Sequence, residues 1–502
     1  MGVSDGDGED PWGFLADRKE RAKPVDAEPA VSGDEQPPAP VPPAAQPRAE
    51  PSTEPARGGS AGRARGELRA EMGGPSMKRR AWPMAAALVG VAFAGFLTET
   101  VGASQMITLA GPSSLIYMYP LGGLGLLGVA LLSFRFIDHS ARLPMIRAVT
   151  GVYALVFAVA LALISQSVWP VGATAVVWLL GDQLNFLVPL LIWALAGDEF
   201  NVAEGRRIFG WIVAWTYVGQ VAGLAVATAA PTVLQALSVP LPALLVFDPL
   251  VCAAIAIFLP RAMRRSQAGR GVAHNEGTRQ SLSGAWDFIA GVPIWRTLLI
   301  ASVLTFSSVM TSFLAYMSGA GIIIGDDAGA LQTLFGAVAL VVFVLCWILQ
   351  KTGAHRIQER LGIPGTLMVL PVVAVVAGVV LALGSAFGSL VLLVVGISLV
   401  RIPRWTIDEN ARRAALAFVP DERRARVSFF VDLGPVALGL IVAGPLALVG
   451  LLTGVYWIVP LIGAILAAAA IHPSLVVVRG WDASMMNWRL RRRKQNRTLD
   501  LD

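Results

Sequence analysis

Twelve apolar runs, each close to 20 residues long, fill the chain between Trp82 and His472. An α-helix of about 20 apolar residues crosses the ~30 Å of hydrocarbon in a bilayer. Water cannot satisfy backbone N–H and C=O groups there, so each run must bond its own backbone as a helix. The sequence therefore predicts twelve transmembrane spans, numbered 1 to 12, at residues 83–107, 112–134, 144–165, 171–196, 207–230, 241–260, 295–318, 330–350, 362–384, 388–407, 427–449 and 451–472.

Basic residues occur in every second loop between the predicted spans. Lys or Arg precedes span 1, follows span 12, and occurs in the loops after spans 2, 4, 6, 8 and 10, whereas the other loops carry neither residue. Loops rich in Lys and Arg stay in the cytoplasm. The pattern predicts a multi-pass protein of the plasma or inner membrane with both termini in the cytoplasm.

Composition divides the chain into a polar tail and a membrane region. Only 15% of the residues are charged, against about 25% in soluble domains. The first 80 residues hold many of the acidic residues and a dense run of prolines, a composition typical of disorder. We expect a disordered tail, a first six-helix half, a cytoplasmic linker, a second six-helix half and a basic amphipathic tail that contacts lipid. Their bounds are 1–80, 81–260, 261–294, 295–473 and 474–502.

An internal repeat has a register of 220 residues. At this offset Arg206 aligns with Arg426 and Gly219 aligns with Gly439, and three further pairs match. Repeats of this length in a membrane protein indicate two structurally equivalent halves. The sequence predicts an all-α fold of two parallel six-helix repeats.

Two loops carry a resemblance to the major facilitator transporters. The stretch RFIDHSAR, with Asp138 and Arg142 four residues apart, is similar to the Asp-and-Arg turn that these proteins have between helices 2 and 3, although it lacks the leading Gly. HRIQERLG at 355–362 is its counterpart in the second half. The resemblance implies a major facilitator fold with a substrate site between the halves.

A second resemblance is to the ATP/ADP translocases of plastids and intracellular bacteria. It rests on LIWALAGDEFNVAEGRRIFG at 191–210 and on the loop from Ile407 to Asp432. These translocases use lysines to hold a polyphosphate, but Lys351 is the only lysine of the membrane region here. The resemblance therefore implies the architecture and not the exchange of nucleotides. The charged residues of these loops and of the loop between spans 2 and 3 are candidates for a cytoplasmic gate, namely Asp138, Arg142, Glu204, Arg206, Arg207 and Arg426.

Ionisable residues deep in the predicted spans are the candidates for a binding site, because burying them costs several kcal/mol. They are Glu99 in span 1, Asp182 in span 4 and Arg401 in span 10, with Asn185 and Gln220 as polar companions. In the major facilitator arrangement helices 1, 4, 7 and 10 line the central cavity, where a carboxylate could carry a proton during transport. The alternatives are that the acids only bond neighbouring helices and that Arg401 snorkels to the inner surface with Arg404. Asp248 and Asp432 are weaker candidates of the same kind.

The remaining motifs argue against catalysis. The four histidines are scattered without metal-ligand spacing, and no GxxxxGK[ST] phosphate loop occurs. The net charge of +6 resides in short loops rather than in a patch that would bind nucleic acid. We therefore expect a secondary active transporter of a small-molecule substrate, coupled to protons, which is not an enzyme and has no cofactor. The alternatives are a nucleotide exchanger, a non-transporting membrane scaffold or sensor, and a mover of lipid.

Overall fold

A computed structural model describes residues 75–137, 142–200, 202–263, 286–416, 418–419 and 427–499. The described residues are helical, and twelve of their helices are long and apolar enough to cross a membrane. The predicted number of spans is thus confirmed. Residues 1–74 of the tail expected to be disordered and most of the expected linker lie outside the described residues, whereas residues 75–80 of that tail belong to the first helix.

The helices follow the predicted spans closely. The first half contains span 1, Pro75–Ala110; span 2, Leu115–Ile137, after a 3-10 turn at Pro112–Ser114; span 3, Arg142–Ser165; span 4, Pro170–Glu199; span 5, Val202–Ala236; and span 6, Phe247–Ala262, after a 3-10 turn at Leu241–Val246. The second half contains span 7, Pro293–Ile324; span 8, Ala328–Thr352; span 9, Val369–Phe387; span 10, Leu390–Pro403, continued by a π-helix at Arg404–Asp408 and a helix at Glu409–Leu416; span 11, Gly434–Thr453, after a π-helix at Phe429–Leu433; and span 12, Ile458–Leu499.

Local sequence signals set several of these boundaries. The Asp327 carboxylate accepts a hydrogen bond from the backbone N–H of Ala330 at 2.9 Å and caps the start of span 8. Gly388 and Gly454 adopt positive φ angles of 61° and 69° directly after spans 9 and 11. A left-handed residue at this position satisfies the last helical carbonyls, which favours glycine.

Several helix boundaries differ from the prediction, and two of the differences change the packing. A separate helix, Ala354–Leu367, precedes span 9 and is broken at Gly362, where φ is 66°. Span 12 continues well past the predicted boundary at 473, because aromatic residues beyond it form a packing face. Trp481 is only 4% exposed, and its ring contacts those of Trp295 and Phe418.

The two halves repeat the same close helix contact. Gly219 in span 5 lies against the backbone carbonyl of Val89 in span 1, and Gly439 in span 11 lies against that of Phe306 in span 7. A Cβ at either glycine would overlap the facing carbonyl oxygen. The pair that the sequence aligns at an offset of 220 residues therefore has the same packing role in both halves.

The antiparallel packing of spans from the two halves defines the two ends of the bundle. Span 2 packs against span 11 so that Pro120 meets Gly444 while Gly123 meets Ala437, and span 5 packs similarly against span 8. These antiparallel contacts bring the loops that carry Lys and Arg to one end, here called the basic end. The loops without them lie at the opposite end.

Hydrophobic packing joins the halves at the opposite end. One buried cluster there contains Ile107 and Leu115 of the first half together with Leu314, Met317 and Ala320 of the second. Two other large clusters each belong to a single half. The bundle is therefore closed at the opposite end, and the space between the halves lies on the basic side of this closure.

Candidate functional site

A cavity of about 380 Å³ lies between the two halves. Spans 1, 2, 4 and 5 of the first half and spans 7, 10 and 11 of the second contribute to its wall. The resemblance to the major facilitator transporters implies spans 1, 4, 7 and 10 at this position, and spans 2, 5 and 11 complete the lining. Its polar lining side chains are Glu99, Tyr119, Asp182, Gln183, Asn185, Thr216 and Gln220, and its aromatic ones include Phe96, Trp178, Phe186, Phe313 and Trp405.

The structure brings four of the predicted site residues to this one cavity. Glu99 comes from span 1, Asp182 and Asn185 come from span 4, and Gln220 comes from span 5. Glu99 and Asp182 are near enough to interact electrostatically. Two acids that are 83 positions apart in the sequence thus line one cavity.

Two glycines make room for the amide side chains of span 4. The side chain of Asn185 occupies the position that a Cβ would take at Gly95 of span 1. The amide group of Gln183 lies in the same way against Gly125 of span 2. Small residues on spans 1 and 2 therefore allow polar groups of span 4 to approach the midplane.

Asp182 is half-buried and faces the cavity. Within the part of the chain that the structure describes, its carboxylate forms neither an ion pair nor a hydrogen bond. This placement does not match the alternative in which the acid only bonds a neighbouring helix. The Asp182 oxygens are available to a ligand in the cavity.

Arg401 is buried, with 8% of its surface exposed. Its Nη2 lies 3.7 Å from Oε1 of Glu99, and its guanidinium is stacked 4.5 Å from the centre of the Phe313 ring. Arg401 therefore does not snorkel to the surface. Arg404 also turns inward, and its Nη1 donates to Oε2 of Glu409 at 2.8 Å.

A second, smaller cavity of about 50 Å³ adjoins the first. Arg401 and Tyr316 line it, and Glu99, Phe96 and Trp405 line both cavities. Arg401 Nε and Tyr316 Oη are buried without a hydrogen-bond partner among the described residues, as is Trp178 Nε1 in the larger cavity. Buried polar groups of this kind are normally satisfied, so these donors are candidates for ligand contacts.

Asp248 and Asp432 do not line the cavity. Asp248 is 1% exposed, and both of its oxygens lie 2.6 Å from Oγ1 of Thr98. Asp432 accepts a hydrogen bond from Oγ of Ser428 at 2.8 Å. Asp248 thus bonds a neighbouring span, as that alternative describes, whereas the hydrogen bond of Asp432 stays within its own helix.

The residues predicted to form a gate differ in whether they form ion pairs at the basic end. Arg142 pairs with Asp198 at 3.2 Å, and Glu204 pairs with Arg80 at 3.3 Å. Arg80 also pairs with Glu199 at 2.8 Å, a contact that the sequence does not indicate. Arg207 is exposed. Asp138, Arg426 and the side chain of Arg206 lie outside the described residues.

A buried ionic network in the second half is not predicted by the sequence. Arg412 Nε donates to Oδ2 of Asp408 at 2.7 Å, and its Nη1 donates to Oγ of Ser302 at 2.7 Å. Asp408 is fully buried and Arg412 nearly so. Asp408 is the last residue of the π-helix that continues span 10. No group of three or more His, Cys, Asp or Glu side chains suited to a metal ion occurs within the described ranges.

The architecture is that of the major facilitator transporters, with twelve spans in two six-helix halves and a cavity between them. A mutant of the nucleoside transporter NupG matches with a TM-score of 0.59 at 15% identity, over 78% of this chain and 99% of that one. The peptide-transporter-family protein PepTSo matches with a TM-score of 0.59 at 10% identity, over 81% and 98%. An inward-facing bacterial homologue of the iron transporter ferroportin matches with a TM-score of 0.56 at 13% identity, over 80% and 98%.

Identities this low establish the fold alone. No protein-family model matches the sequence, and no curated protein matches it. The likeness to the ATP/ADP translocases is not shown by these comparisons.

Proposed function

We propose that this protein is a secondary active transporter that works by alternating access, with the cavity between its halves as the substrate site. The observation that carries the proposal is the placement of Glu99 and Asp182, from two different spans, in one cavity between the halves. An ionisable group at membrane depth is costly and marks a transport pathway by default. The structural neighbours named above carry nucleosides, peptides or iron, so the fold supports transport without selecting a cargo.

The closed opposite end defines the state of the cycle. Following the rule that basic loops remain inside, the basic end is cytoplasmic, as are both termini. The hydrophobic cluster then closes the outer side, so the cavity belongs to a state that is not open to the outside. Transport requires this cluster to separate while the halves close at the basic end.

Proton coupling is the second part of the proposal. Glu99 and Asp182 interact electrostatically in the cavity, and neutralising either one by a proton relieves the cost of two adjacent negative charges. Protonation of Glu99 also removes its ion pair with Arg401 on the other half. A proton on this carboxylate therefore weakens a bond between the halves, which links proton binding to their movement.

Nucleotide exchange is not favoured. A polyphosphate needs several fixed positive charges, and Arg401 is the only basic residue lining the two cavities among the described residues. It already faces Glu99. A non-transporting scaffold would have a filled centre with each acid paired, whereas here the centre holds a cavity and Asp182 is unpaired within the described ranges.

The test screens four chemical classes of substrate at once. Purified protein is reconstituted in liposomes with a pH gradient and incubated with a mixture of nucleosides, amino acids, sugars and amines. Mass spectrometry of the liposome contents should show one class of solute accumulated above protein-free liposomes, and collapse of the gradient should abolish the accumulation. The comparison with Asp182→Asn identifies the role of the cavity. Contents identical to those of protein-free liposomes would refute transport of all four classes of solute.

A further inference from the structure

We propose that the cavity binds a small organic cation, with an ammonium group at Asp182 and an apolar or aromatic body against the surrounding rings. This inference rests on the proposed function and deepens it, because it names the chemical class of the substrate. Three observations carry it.

The first observation is the charge balance of the site. The two adjoining cavities are lined by two acids, Glu99 and Asp182, and by one base, Arg401. Arg401 lies 3.7 Å from Glu99, so these two charges largely offset each other. Asp182 remains without a basic partner in the described chain. A wall with one uncompensated carboxylate attracts a cation and repels an anion.

The second observation is the arrangement of side chains along span 4. Trp178, Asp182 and Phe186 are spaced four residues apart, and all three line the cavity. Residues at this spacing lie one above the other on one helix face. The carboxylate is therefore flanked by two aromatic rings, a combination that suits a cation carrying apolar substituents.

The third observation is that aromatic rings of this site already hold a cation. The Arg401 guanidinium lies 4.5 Å from the centre of Phe313, which lines the cavity. Phe96 and Trp405 complete the apolar wall. Gln220 Oε1 is buried without a partner among the described residues, and it offers an acceptor for a further N–H of the ligand. At about 380 Å³, the space is within the ~300–1,000 Å³ range of small-molecule sites.

The test compares three compounds that carry a similar phenylalkyl group and differ in the charge of their polar end. Full-length detergent-purified protein is titrated calorimetrically at neutral pH with 4-phenylbutylamine, 4-phenylbutanol and 4-phenylbutyrate. We expect the amine to bind about tenfold or more tightly than the other two, since a charge-assisted hydrogen bond contributes about 1.5–3 kcal/mol. Asp182→Asn should abolish the preference for the amine. Asp327→Asn, which changes the same residue type at an exposed helix cap far from the cavity, should retain it.

Several results would overturn the inference. They are tighter binding of the carboxylate, equal binding of the amine and the alcohol, a preference that survives in Asp182→Asn, and binding of none of the three. If Asp182→Asn does not fold, as judged by its thermal unfolding, the comparison of the three compounds on the wild-type protein still tests whether the cavity prefers a cation. The liposome experiment detects transport of any solute in the mixture, so accumulation of an uncharged or anionic solute would reject the cation class and leave transport established.

Discussion

Glu99 of span 1 and Arg401 of span 10 form an ion pair across the two halves, with 3.7 Å between Oε1 and Nη2. The two partners differ in their access to water. The Glu99 side chain is 32% exposed and the Arg401 side chain is 10% exposed. Losing the partner should therefore cost more when the charge left behind is Arg401.

We expect Glu99→Leu to lower the midpoint of thermal unfolding more than Arg401→Met does. The first change leaves a buried guanidinium unpaired, which costs up to about 3–5 kcal/mol, while the second leaves a carboxylate that the cavity can hydrate, at about 1 kcal/mol. The double variant should be more stable than Glu99→Leu alone, because it leaves neither charge unpaired. Additive effects of the two changes would show that the pair contributes no coupling.

A disulfide should lock the closed opposite end. A Cβ built at Gly321 in span 7 would lie 2.7 Å from Cγ2 of Ile107 in span 1. A cysteine at position 107 would place its sulfur near that methyl group, within reach of a disulfide to a cysteine at position 321. In a background with Cys252 and Cys346 changed to Ala, Ile107→Cys with Gly321→Cys should cross-link on oxidation and stop accumulation in liposomes. A reducing agent should restore it. Each single cysteine serves as the control, and unimpaired accumulation by the cross-linked protein would contradict alternating access at this end.

The sequence predicts the spans well because the bilayer imposes a strong and local requirement. Any segment that crosses must be apolar for about 20 residues and helical, and this can be recognised without knowing its neighbours. The same requirement makes Glu99 and Asp182 conspicuous, since each interrupts an apolar run. Their presence in one cavity follows from the order of helices in the major facilitator arrangement.

The partners of charged residues could not be predicted in the same way. The pairing of Arg401 with Glu99 depends on the register of span 10 against span 1, which no local pattern encodes. Asp408 and Arg412 resemble ordinary charges at a helix end, and only the π-helix at 404–408 and the packing against Ser302 show that they are buried. Trp481 falls in the predicted tail for the same reason, because its partners Trp295 and Phe418 are distant in sequence.

Arg412 and its neighbour Arg413 should respond very differently to the same substitution. Arg412→Met removes the 2.7 Å partner of the fully buried Asp408 and leaves it only Arg404 at 3.7 Å, so we expect a loss of up to about 3–5 kcal/mol. Arg413 is 63% exposed and pairs with Glu409 at 2.9 Å, so Arg413→Met should cost less than about 1 kcal/mol. Thermal unfolding of the two purified variants compares them directly. Equal midpoints would show that the Arg412 network does not stabilise the second half.

The two equivalent glycines should be equally intolerant of a methyl group. A Cβ at Gly219 would overlap the backbone of Val89, and one at Gly439 would lie 2.6 Å from the carbonyl oxygen of Phe306. Backbone cannot rotate away as a side chain can, so each Ala variant must push two spans apart, at a cost of about 1–3 kcal/mol. Gly128→Ala is the matched control, because nothing lies within 4 Å of its added Cβ. Within a helix this control should be neutral or gain up to about 1 kcal/mol. Thermal unfolding midpoints of the three variants test the repeat, and tolerance of alanine at one of the two equivalent positions alone would mean that the halves do not depend on the same contact.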